Sequence, residues 1–113
     1  MLLRDGNALI GFAVCHCGAE TEAGSGQCYV KFGAVQSGPE AEVSFTRLLA
    51  ACEMLAASRG MERLVAGVNT ARREAYRVML ACGFRIDVQG LAMHRPDEAG
   101  YNRPGVYIID DWR

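Results

Sequence analysis

The sequence predicts an α+β fold, a mixed but mostly antiparallel sheet flanked by two main helices. Three observations predict it. Short apolar runs near the start are separated by turn residues, two later stretches carry apolar residues at helical spacing, and a short apolar run lies between those two stretches. The chain has 113 residues, half of them apolar, which fits one domain over 1–113 built on one core.

Asp5-Gly6-Asn7 is a turn signal between Leu2-Leu3 and the apolar run Ala8 to Cys17, and together these read as a hairpin. Gly18 to Gly26, rich in Gly, Glu, Thr and Ser, is a loop into a third strand, Gln27 to Val35, on which Cys28, Val30, Phe32 and Ala34 are expected to share a face. Gln36-Ser37-Gly38-Pro39 ends that strand. Phe45, Leu48, Leu49, Cys52, Leu55 and Ala56 then recur at helical spacing, so a helix is expected from roughly 40 to 59, stopped by Gly60. Arg63 to Val68 is a short buried strand, and a strand, helix and strand in succession usually leave the strands parallel. Asn69 and Thr70 cap a second helix with Ala71, Ala75, Val78, Met79 and Cys82 on one face and Gly83 as its stop. A strand from Phe84 to about Arg95, a turn-rich Pro96 to Pro104 and a last strand Val106 to Asp110 complete the pattern.

The formal charge of −1 supplies no basic face for nucleic acid, which is not expected as a partner. No apolar run approaches the roughly 20 residues that span a bilayer, and no export signal is read at the start, so the chain is expected to be cytoplasmic and off the membrane. Five irregularly spaced cysteines in such a chain are expected to be reduced, with Cys52 and Cys82 in the core. Cys15, His16 and Cys17 form one dense cluster of metal-type ligands. Strand alternation puts Cys15 and Cys17 on one side and His16 on the other, which does not close a four-ligand site, so no metal is expected and small buried thiols are the plainer reading.

The order hairpin, strand, helix, strand, helix, strand, strand resembles the GNAT superfamily of acyl-CoA-dependent N-acyltransferases. Asn7-Ala8-Leu9-Ile10-Gly11-Phe12-Ala13 is similar to the family's second hairpin arm, and Ala75, Met79 and Gly83-Phe84 are similar to the end of its second long helix. The resemblance begins at the family's second strand, without the first strand and the two short helices after it. The ending, from His94-Arg95-Pro96 through Tyr101-Asn102-Arg103-Pro104 to Asp110-Asp111-Trp112-Arg113, resembles the C-terminal domain of a longer or tandem member.

The resemblance implies transfer of an acetyl or other acyl group from acyl-CoA to a small-molecule or peptide amine through a tetrahedral intermediate. It places pantetheine along the backbone of Phe32, Gly33, Ala34 and Val35, where the family's sheet splays, and the pyrophosphate at the next helix start. There the sequence reads Glu40-Ala41-Glu42-Val43-Ser44-Phe45. Val43 and Phe45 stand at the pattern's last two glycine positions and Glu40 at its basic one, which opposes a charged pyrophosphate. Glu40 and Glu42 also have a ligand-free reading, as acids favouring a helix N-terminus.

The family's thiolate-protonating Tyr falls on Met79, which has no proton to give, and Tyr76, three residues earlier, is the alternative catalytic acid or else a half-buried packing residue. Arg72 stands where many members carry a cofactor-contacting Asn, to meet a phosphate or simply face solvent. Glu20, Glu22 and Glu40 are bases by type alone, and His94 is read as a packed or edge histidine before a base. Three functions follow: an N-acyltransferase; a catalytically inactive GNAT-like module for packing, dimerisation or ligand binding, as a homodimer or against another such domain; or, as the residual reading, a thiol or metal function of Cys15-His16-Cys17.

Overall fold

The computed structural model describes residues 1–100 and 103–110; the readings made for Tyr101, Asn102, Asp111, Trp112 and Arg113 lie outside the described residues. The elements run β1 (Leu2–Asp5), β2 (Ala8–Gly18), β3 (Gly24–Val35), α1 (Ala41–Ser58), β4 (Arg63–Ala66), α2 (Arg73–Ala81) and β5 (Ile108–Asp110). The sheet is five-stranded, in the order β1-β2-β3-β4, with β5 also paired to β3. Among the described strands only β3 and β4 run parallel, in keeping with the intervening α1. The fold is mixed α+β with a mostly antiparallel sheet.

β2 covers the whole of one edge of β3 from Gly18↔Gly24 to Gly11↔Val35. The other edge is shared. β4 takes Gln27 to Val30 and β5 takes Phe32 to Ala34, leaving Lys31 outside both ladders. Against β2, too, the register steps from Val14↔Phe32 to Cys15↔Val30, so Lys31 is the extra residue of a β-bulge.

One inserted residue inverts the alternation that follows it. The expected common face of Cys28, Val30, Phe32 and Ala34 is therefore corrected. Cys28 and Val30 are fully buried towards α1, whereas Phe32 is partly exposed on the opposite face beside Phe12, ring centroids 5.7 Å apart. Gly33 and Val35 replace them on the α1 side.

α1 packs on that side through Phe45, Leu48, Leu49, Cys52 and Ala56, and α2 adds Ala75 and Met79. Both helices end alike. Gly60 and Gly83 adopt positive φ (69° and 94°), and the next residues, Met61 and Phe84, donate back to Ala56 O and Met79 O at 2.9 and 3.1 Å. This is the Schellman arrangement that a left-handed glycine permits. It also corrects Cys82, which lies exposed at the end of α2 rather than in the core.

The expected strand from Phe84 to about Arg95 does not form. β3 has no edge left to offer it, and Ile86, Val88, Leu91 and Met93 lie exposed. The second helix starts later than expected: Asn69 Oδ1 accepts from Ala71 N at 3.0 Å in a turn, and Arg72 is the N-cap. No helix among the described residues is long and apolar enough to cross a membrane.

Close approach of β2 and β3 depends on Gly11. A Cβ there would lie 2.9 Å from Val35 Cγ1 and 3.0 Å from Ala34 O, and the backbone oxygen cannot turn aside. Gly11→Ala is expected to lower stability by about 2 kcal/mol through overpacking, read as a reduced urea midpoint at unchanged slope.

Candidate functional site

The structure brings together the two parts to which the resemblance assigns acyl-CoA, the β3 edge at 32–35 and the start of α1. It also occupies them. Phe32, Gly33 and Ala34 pair with Asp110, Ile109 and Ile108, and Val35 N donates to Tyr107 O at 3.4 Å. Asp110 N donates to Gly67 O at 3.0 Å, so β5 takes over the edge where β4 leaves it. The expectation of backbone groups standing free along Phe32 to Val35 is thus corrected. Their hydrogen bonds are made by β2 on one side and β5 on the other, and a pantetheine amide would have to displace β5 to find partners there.

At the start of α1, Ala41, Ser44 and Phe45 are buried and Val43 points outward. Glu40 is the N-cap without a side-chain cap hydrogen bond, and Glu42 is the acid of the first turn. The Tyr107 hydroxyl donates to Glu42 Oε2 at 3.2 Å, while its ring sits 5.4 Å from that of Phe45. Burial, and then the Glu42 carboxylate, push the Tyr107 phenol above its ordinary range, so it holds its proton as a donor. A carboxylate already paired with a tyrosine thus stands in the first turn of the helix to whose start the resemblance assigns a pyrophosphate.

Arg72 does not face solvent. Its side chain is 9% exposed, with Nη1 2.7 Å from Asp110 Oδ1, so it ties the start of α2 to β5. Met79 is buried against the core and Tyr76 is half-buried one turn beyond Arg72. Tyr107 and Asp110, which do most to close this region, were not among the candidate site residues read from the sequence. The alternation of Tyr107 and Ile109 marks a half-buried strand, but nothing local in the sequence says which edge it joins.

The candidate bases are dispersed. Glu22 accepts from Lys31 Nζ at 2.6 Å and lies with Glu20 by the start of β3, whereas Glu40 lies beyond its end. His94 Nδ1 lies 2.9 Å from Pro96 O in the exposed chain after α2, beside an open groove that Asn69, Leu91 and Glu98 help line. Among the described residues no group of three or more His, Cys, Asp or Glu side chains is arranged to hold a metal ion.

No family model, curated protein or solved structure matches the chain.

Proposed function

We propose that this chain is a catalytically inactive GNAT-like module that acts by association, pairing with a second copy of itself, rather than by transferring acyl groups from acetyl-CoA or another acyl-CoA. One observation carries the proposal: β5 fills the β3 edge on which an acyl-CoA cosubstrate would depend. The carboxylate of Glu42 at the adjoining helix start adds to it, because it disfavours a second anion there.

The face of the sheet turned away from α1 supports the association. Leu2, Phe12, Val14 and Phe32 meet on it through the pairs Leu2↔Phe12 and Val14↔Phe32, and they are 37–59% exposed. Beside it, among the described residues, β1 is an edge strand whose one sheet neighbour is β2. An open edge continuous with an apolar face is complementary to its own twofold copy, the usual geometry of a homodimer.

A second reading, N-acyltransferase to an amine, is favoured by the start of α1, which has no side-chain cap to compete with an anionic cosubstrate. Titration with acetyl-CoA by calorimetry, together with sedimentation equilibrium, separates the readings. The expected result is no heat of binding up to about millimolar cosubstrate, and a dimer that dissociates at least tenfold more readily in Phe32→Glu. Micromolar binding of acetyl-CoA would restore the enzyme reading. A monomer at every concentration would remove the association.

A further inference from the structure

The α1 side of the sheet carries a line of four thiols that the region above does not use. Cys17 and Cys28 stand directly opposite one another on β2 and β3, with Sγ atoms 3.2 Å apart. Cys15, two residues before Cys17, shares that face of β2 and lies diagonal to Cys28, and it packs against the core cluster that holds Cys52 of α1. Cys28 and Cys52 are buried, and Cys15 and Cys17 are half-buried, so the line runs from a partly open end into the core. Sequence spacing hides it, because it draws on β2, β3 and α1.

The thiols differ in acidity. A hydrogen bond from Cys52, against opposing burial, with the positive N-terminus and a further bond from Cys28, brings Cys15 down to about 7. Burial, then the hydrogen bond with Cys17 and the neighbouring sulfur charges, pushes Cys28 up to about 12. The Cys15 hydrogen bond and burial likewise raise Cys52. Of these two neighbours Cys15 is therefore the readier to give up its proton and Cys28 the readier to keep it.

We propose that Cys17 and Cys28 are a redox-active dithiol that takes oxidising equivalents from low-molecular-weight disulfides, closing a reversible cross-strand disulfide between β2 and β3, with Cys15 as the base for the second step. The half-buried Cys17 sulfur attacks a small disulfide, forming a mixed disulfide and releasing one thiol that carries away the Cys17 proton. Cys28 then attacks Cys17 Sγ while Cys15 takes up its proton in the same step, expelling the second small thiolate, which is protonated from solvent as Cys15 returns its proton there. Two protein thiols are oxidised and one small disulfide is reduced to two thiols. Bond formation needs the facing sulfurs to approach by about 1 Å, a shift within reach of two side chains on paired strands.

The test is to incubate the reduced full chain with oxidised glutathione at neutral pH and to map its disulfides by peptide mass spectrometry. The expected product contains a Cys17–Cys28 link, which persists in Cys82→Ser, while Cys28→Ser stops at a glutathione adduct on Cys17. Cys15→Ser should slow closure from that adduct by about a hundredfold, the scale of a lost general base, without changing the link. Modification confined to Cys82, or a link between other cysteines, would overturn the pairing. Closure at the wild-type rate in Cys15→Ser would overturn the role of Cys15.

Discussion

Phe45→Ala is expected to cost about 4 kcal/mol, measured as the fall in unfolding free energy from urea titrations. Phe45 is fully buried, so truncation removes apolar contact and leaves a void that the first turn of α1 cannot collapse into without losing Ala41 and Ser44 from their places. It also removes the ring that packs on Tyr107, and such aromatic pairs contribute about 1 kcal/mol beyond area. Against a total stability of roughly 5–15 kcal/mol for a domain, this one change takes a large share. A loss below about 2 kcal/mol would show that α1 is not seated through Phe45.

Asp110→Ala is expected to lower stability by about 3 kcal/mol and the melting temperature by roughly 10–15 °C. The cost arises because Arg72 keeps its charge in a buried place after its carboxylate partner is gone. Asp110 retains some contact with solvent, which puts the effect at the lower end of the range for broken buried pairs. Replacing both partners by apolar residues, Arg72→Met with Asp110→Leu, should recover most of the loss, since neither charge then lies buried. A double variant as unstable as Asp110→Ala would assign the loss to β5 packing rather than to charge.

Much of this architecture was legible in the sequence because its signals are local. The turn at Gly6-Asn7, the stripe from Phe45 to Ala56 and the stops at Gly60 and Gly83 each follow from a few neighbouring residues, and the structure places them within a residue or two. The parallel pairing of β3 and β4 followed from α1 between them. What failed depended on partners distant in the chain. Alternation along β3 could not reveal that Lys31 is extra, because a bulge is defined by the opposing strand. The apolar residues after Phe84 have the composition of a strand, yet alternation in the sequence cannot show that the edge of β3 is already divided between β4 and β5.

The candidate site was legible as a location and not as a state. The sequence directs attention to 32–35, 40–45 and Arg72, and these residues do converge. Their convergence is around Tyr107, Ile109 and Asp110, which the chain supplies itself. Arg72 shows why residue type alone could not decide this: the same guanidinium serves a phosphate, water or a carboxylate, and only the fold selects among them.

Between α2 and β5 the described residues form neither helix nor strand, so that stretch adds no ladder to the sheet. β5 therefore works as a latch: Tyr107, Ile109 and Asp110 grip Glu42 of α1, Gly33 of β3 and Arg72 at the start of α2, and these few side chains decide whether the β3 edge stays shut.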